Sequence, residues 1–329
     1  MCTSLKYVNG DCYFGRNLDL EYSFGEKVVI TPIGYKFELR KEKMLNTKYA
    51  MIGMATVAGK YPLYAEAVNE KGLYIAGLNF PGNAVYNDET DGKINITPFE
   101  FIPWLLGNFE TVDEAEESIK NINLININFA ENMPLAPLHW MISDRERCIV
   151  VEQRKDGLNI FENEYNVLTN NPPFEYHRWN MNNYINLTNT TPENRFSQKL
   201  DLSTYSRGMG SIGLPGDVSS ASRFVRAVYN LSNSKSTKSE RSSVSQVFHV
   251  LDSVAMIRGA ALTPEGKSDM TRYSCCINAD KGIYYYKTYE NCRITAIDMT
   301  GENIDGDSLT VFELERDLQI KYSNSKESI

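Results

Sequence analysis

Short apolar or alternating segments separated by Gly, Pro and Asn dominate the first and last thirds of the chain, and their order limits the folds open to it. Residues 3–7, 12–17, 27–31, 49–57, 63–68 and 73–79 read as strands, several with the period of two that a half-buried strand requires. Two helices are expected next, at 97–107 and 111–120, the second opened by the capping box Thr111-Val112-Asp113-Glu114. Residues 137–144, 147–154, 157–162 and 165–169 then form a meander, with Asp156-Gly157 as a hairpin turn and Asn170-Asn171-Pro172-Pro173 as its stop. Helices near 219–230 and 243–257 flank the polar run 230–245, which reads as a surface loop and not a linker. Strands resume at 271–279, 282–288, 291–298 and 308–313. Runs of strands, then helices, then strands indicate antiparallel sheets with segregated helices, an α+β layer protein in one domain over residues 1–329.

Composition narrows the partners. A hydrophobic content of 42% suffices for a sizeable core, and a net charge of −8 offers no broad basic face to a phosphate backbone, so nucleic acid is not an expected partner. Met1-Cys2-Thr3-Ser4-Leu5-Lys6-Tyr7 lacks the apolar core of a secretory signal and no stretch approaches a membrane span, which points to the cytoplasm and to no membrane partner. Cysteines 2, 12, 148, 275, 276 and 292 have no zinc-type spacing, and adjacent Cys275 and Cys276 face opposite ways along a strand. Five of them read as free thiols that pack as small hydrophobes.

Several motifs point to chemistry that the surrounding residues do not support. Gly208-Met209-Gly210-Ser211-Ile212-Gly213 has the dinucleotide spacing, but Leu214-Pro215-Gly216-Asp217 follows at once and breaks the helix that such a site needs. Residues 87–98 begin like a calcium loop, yet Pro98 stands where a bidentate Glu is required. His139, His177 and His249 are isolated from one another, and hydrogen-bonded core or boundary roles are expected for His139 in its strand and His249 in its helix.

Cys2 is different. Removal of Met1 leaves a thiol and a free α-amine on one carbon, so nucleophile and base come from one residue and no histidine is needed. By position alone, a Cys after the initiator is more often a tolerated small residue. Phe14-Gly15-Arg16-Asn17-Leu18-Asp19 ends the second expected strand, where a hairpin would bring Arg16 and Asp19 beside Cys2; a surface Arg–Asp pair is the other reading.

Taken with Ala76-Gly77-Leu78-Asn79-Phe80-Pro81, Leu168-Thr169-Asn170-Asn171-Pro172, Leu214-Pro215-Gly216-Asp217 through Ser222-Arg223-Phe224, and Lys281-Gly282-Ile283-Tyr284-Tyr285-Tyr286, these segments resemble the choloylglycine hydrolase family along essentially the whole chain. The resemblance implies a four-layer αββα sandwich of the N-terminal-nucleophile hydrolase type, loss of Met1, and hydrolysis of an amide joining an acyl group to a small amine without a cofactor or metal. It implies that Cys2 is the nucleophile, that Arg16 and Asp19 support it, that Asn79 and Asn170 serve the oxyanion, and that Arg223 completes the charged cluster. Within the family, Asn79 and the short leader resemble enzymes of conjugated bile salts more than penicillin V acylases, which typically carry Tyr at this position. Penicillin V, an acyl-homoserine lactone, and a silent small-molecule binder remain the alternatives. Leu18, Tyr22, Phe24 and residues 127–138 are expected to cover a steroid. Arg207 lies in the segment that resembles the family's determinant of amino-acid preference, where it would favour a sulfonate. The family is also similar in forming homotetramers.

Overall fold

The computed structural model describes residues 1–324. Strand β1 (Cys2–Asn9) and strand β2 (Asp11–Leu20) form a hairpin turned at Gly10, whose φ of +77° suits a residue without Cβ. Their register sets Cys2 opposite Leu18 and Ser4 opposite Arg16. The hairpin is the centre of an antiparallel sheet, with Val167–Leu168 beside β1, and Ser268–Asn278, Ile283–Thr288 and Thr295–Asp298 following β2 in order. The second sheet runs Gly157–Glu162, Cys148–Arg154, Leu138–Ser143, Tyr74–Asn79, Tyr61–Asn69, Met51–Ala58, Lys27–Thr31 and Thr310–Glu313, and every neighbouring pair is antiparallel.

The two sheets face one another across a shared core in which Phe14 and Tyr74 stack with ring centres 4.5 Å apart. Helices α1 (Pro98–Asn108) and α2 (Val112–Ile119) belong to a separate core on the far side of the second sheet, where Phe101, Leu105 and Ala115 meet Ile75 and Trp140. Helix α3 (Phe174–Met181) packs on helix α4 (Ser220–Ser232), while helix α5 (Glu240–Asp252) lies on β2 and the Ser268–Asn278 strand. The result is the four-layer αββα sandwich. Gly15 permits the close seating of α5: a Cβ there would fall 2.8 Å from Val247 Cγ1.

Several expectations need correction. Helix α5 starts at Glu240, capped by Ser239, because that side chain accepts the Ser242 N–H and ends the loop earlier than the polar run suggests. His249 is exposed: its apolar neighbours occupy the buried face of α5 and leave it on the other. Cys292 is also exposed and does not pack as a small hydrophobe, in contrast to buried Cys12, Cys148, Cys275 and Cys276. The last strand before the C-terminal region is shortened to Thr295–Asp298, and α3 was not expected at all. The glycine-rich segment forms a short 3-10 turn, Met209–Ser211, in which a Cβ on Gly210 would lie 2.3 Å from the Thr190 carbonyl oxygen.

Candidate active site

Cys2 opens β1 and is almost wholly buried at the junction of the first sheet, the second sheet and α4. Its Sγ faces Arg16 Nη2 at 3.4 Å. Arg16 projects from β2 across the sandwich: Nη2 also donates to the Gly77 carbonyl at 2.6 Å, and Nη1 to the Ala65 carbonyl and to Glu66 Oε2 at 2.9 Å. Burial opposes the guanidinium charge, but Cys2 and Glu66 outweigh it and hold the Arg16 pKa well above its usual range.

Asn170 ties the site together. Its Oδ1 accepts the Cys2 backbone N–H at 2.7 Å and Arg223 Nη2 at 2.8 Å, and its Nδ2 donates to the Asn79 carbonyl at 2.8 Å. Because two obligatory donors point at one side of this amide, its orientation is fixed by the network. The Asn170 N–H is held by Ser220 Oγ at the start of α4, and its carbonyl accepts His177 Nε2–H from α3 at 2.9 Å. The preceding Thr169 carbonyl accepts His139 Nε2–H at 2.9 Å, so both backbone oxygens of this loop are gripped by buried imidazoles.

Arg223 leaves the first turn of α4 and reaches the Cys2 carbonyl at 2.5 Å and Thr3 Oγ1 at 2.7 Å. Asp19 is fully buried; Thr271 donates to its Oδ1 at 2.7 Å while Oδ2 has no hydrogen-bond partner. Burial raises the Asp19 pKa, and the charges of Arg223 and the N-terminus oppose that rise. The Met1 ammonium donates to the Asp19 carbonyl at 2.6 Å and to Asp269 Oδ2 at 3.2 Å. While Met1 is attached, Cys2 N is an amide nitrogen with no basicity. Loss of Met1 would leave an amine beside Asn170 Oδ1.

The structure thus gathers Cys2, Arg16, Asp19, Asn79, Asn170 and Arg223 into one cluster. Leu18 is buried opposite Cys2, whereas Tyr22 is exposed just after β2 and Phe24 is half-buried. Residues 127–138 lie on the flank of the second sheet, where Phe129, Met133 and Leu135 line a cavity of about 180 Å³ with Leu63 and Ile102. Arg207 sits on exposed coil ahead of the Met209–Ser211 turn and takes no part in the hydrogen-bonded cluster. Sequence reasoning missed Glu66, Ser220, His177 and Thr271. Glu66 had left one trace, an acidic residue at a core-facing position of an otherwise apolar strand.

Two antiparallel sheets between helical layers, with a cysteine heading a central strand, define an N-terminal-nucleophile hydrolase fold. The family of linear amide C–N hydrolases known as the choloylglycine hydrolase family matches residues 2–312. The bile salt hydrolase/transferase of Lactiplantibacillus plantarum is 50% identical over 97% of this chain and 98% of its own length. A mutant of the conjugated bile acid hydrolase from Clostridium perfringens superposes with a TM-score of 0.92 at 42% identity, covering 98% of this chain and 100% of that one. A penicillin V acylase from Agrobacterium tumefaciens shares the fold, with a TM-score of 0.74 at 20% identity over 96% of this chain and 92% of its own. The chain belongs to the choloylglycine hydrolase family.

Proposed function

We propose that the protein, once Met1 is removed, hydrolyses the amide bond of glycine- and taurine-conjugated bile salts with Cys2 as nucleophile. The observation that carries this reading is the Cys2 contact pair: Sγ faces the Arg16 guanidinium at 3.4 Å while the backbone nitrogen of the same residue is held by Asn170 Oδ1 at 2.7 Å. The free α-amine has a reference pKa of about 7.7–8.0 and takes the thiol proton near neutral pH. Sγ attacks the amide carbonyl, and the side-chain N–H groups of Asn79 and Asn170 stabilise the oxyanion. As the tetrahedral species collapses, the C–N bond breaks and the α-ammonium returns its proton to the departing amine. Water, deprotonated by the same amine, then attacks the thioester and frees the bile acid and Cys2. Arg223, bound to the Cys2 carbonyl, fixes the nucleophile's backbone throughout.

Leu18, Tyr22, Phe24 and residues 127–138 form the cover for the steroid in this reading, and Arg207 reaches the terminal anion of the leaving group. A sulfonate offers three acceptor oxygens to that guanidinium, which favours taurine conjugates. Six unpaired thiols fit a reducing compartment and support a cytoplasmic location. Among the described residues no helix is long and apolar enough to cross a membrane.

The test is to incubate the protein with glycocholate, taurocholate and penicillin V, measure amine or acid released, and record its intact mass. Bile salt turnover by protein beginning at Cys2 is expected. Turnover by protein that quantitatively retains Met1 overturns the amine mechanism, and turnover of penicillin V alone overturns the substrate. An Arg207→Ala variant with an unchanged taurocholate-to-glycocholate ratio removes Arg207 from the leaving-group site.

A further inference from the structure

Glu66 lies on the second sheet, in the Tyr61–Asn69 strand, and its side chain is wholly buried. Its carboxylate accepts from four groups of the opposite sheet. Oε2 takes Arg16 Nη1 at 2.9 Å and Tyr273 Oη at 2.8 Å; Oε1 takes Tyr284 Oη at 2.6 Å and Cys275 Sγ at 3.6 Å. Burial pushes the Tyr273 and Tyr284 hydroxyls well above their usual pKa, so both remain donors throughout the working pH range.

Such a site needs an acceptor-only group with room for four donors, which an ionised carboxylate provides and an amide does not. A lone buried guanidinium carries a large desolvation cost, and Glu66 supplies the compensating charge. It also does something that charge compensation alone does not require. Two tyrosines fix the carboxylate, the carboxylate and the Ala65 carbonyl together fix Nη1, and the planar guanidinium then has one direction left for Nη2, shared between the Gly77 carbonyl and Cys2 Sγ. We propose that Glu66, locked by Tyr273 and Tyr284, is a positioning residue that aims Arg16 at the Cys2 thiol and so sets the thiolate population. This rests on the reading of Cys2 as nucleophile.

The sign of the effect separates aiming from background charge. An anion a guanidinium's width from Sγ disfavours the thiolate, so simple removal of the Glu66 charge would lower the thiol pKa. Loss of the aimed Nη2 donor raises it. The mature α-amine of Cys2 titrates together with its own thiol in parent and variants alike; Arg223 from α4 is charged beside them, Asp19 from β2 and Asp269 from the Ser268–Asn278 strand act on Arg223, and Tyr74 faces Arg16 from the second sheet. Of these, Tyr74 also feels the Glu66 charge, and a Glu66 substitution leaves the rest in place.

The experiment is the pH dependence of Cys2 alkylation by iodoacetamide in the mature protein, with the modified cysteine assigned by peptide mass. Glu66→Gln is expected to move the inflection up by about one pH unit, about a tenfold loss of thiolate below it. Its kcat below the inflection should fall about tenfold, in proportion to the thiolate lost, with KM within about threefold. Tyr273→Phe and Tyr284→Phe keep the charge and remove one tether each; a smaller upward shift and about threefold lower kcat are expected. An inflection that stays or falls in Glu66→Gln overturns the proposal. If that variant does not fold, an unmoved inflection in both tyrosine variants overturns it instead. Exposed Cys292 is expected to be alkylated in parent and variants alike; a parent whose activity is lost to iodoacetamide without alkylation of Cys2 overturns the Cys2 reading itself, and this proposal with it.

Discussion

The proposed mechanism gives the oxyanion to both Asn79 and Asn170, yet their surroundings give them different consequences when removed. Asn170 holds the Cys2 N–H and Arg223 through Oδ1, so Asn170→Ala leaves two buried donors unpaired as well as removing an oxyanion donor. A kcat loss of about 10²–10³ and a stability loss of about 1–3 kcal/mol are expected together. Asn79 is half-buried at the end of its strand and meets Asn170 through its backbone carbonyl, so Asn79→Ala should lower kcat while unfolding within about 0.5 kcal/mol of the parent. Steady-state kinetics with denaturant titration on the two variants check this; a raised KM at unchanged kcat would reassign either residue to ground-state binding. Cys2→Ala should abolish turnover with the fold intact. The residues proposed to react had a sequence signal because the family motifs carry them. Those that contact them, Glu66 and Ser220, had little: Glu66 only its inward place in an apolar strand and Ser220 nothing beyond residue type, since their contacts join distant strands and helices.

At the level of elements, α3 shows why local pattern failed. Only Phe174 and His177 of its eight residues are buried, one turn apart, so the apolar stripe is too short to register as a helical period. Pro172-Pro173 was read as the end of a strand, and it is equally the entry to this helix, where a missing N–H costs nothing. His177 is the anchor: its Nε2–H is given to the Asn170 carbonyl, its ring stacks on Phe224 of α4, and Nδ1 has no partner. Burial lowers its pKa from 6.5 to about 4, so it is neutral in the folded protein at pH 7. Between those values the unfolded chain binds the proton and the folded one does not. Stability is therefore complete above about pH 6.5 and is lost as pH falls toward about 4, by up to about 3 kcal/mol. Thermal melts from pH 4 to 7 are expected to show a flatter slope for His177→Gln than for the parent, along with a lower Tm at pH 7. Parallel slopes would mean that His177 does not titrate on unfolding as its burial demands.

For the whole molecule, the layered architecture was legible because strand and helix runs are segregated along the chain, and two-residue periodicity survives wherever a strand has one wet face. Positions of single charged residues inside the sandwich were not legible, because an alternating pattern shows that a residue faces inward without showing what it meets there. The surface carries a further unspent feature. Trp179, Ile185, Phe196, Tyr205 and Ile212 all expose more than half of their area within one stretch of chain around α3 and the coil that follows. A stable interface buries about 800 Å² per partner, and each exposed aromatic side chain can supply about 150–250 Å² of it. The homo-oligomer implied by the family resemblance would have such side chains to bury, and that expectation has a direct test. Light scattering at micromolar concentration should give an integer multiple of the chain mass greater than one. Replacing Trp179, Phe196 and Tyr205 together by Glu should reduce that multiple while circular dichroism stays that of the parent, because these side chains contribute little to either core. A parent protein that runs at the mass of one chain would show that this apolar stretch is left open to solvent and that the interface does not exist.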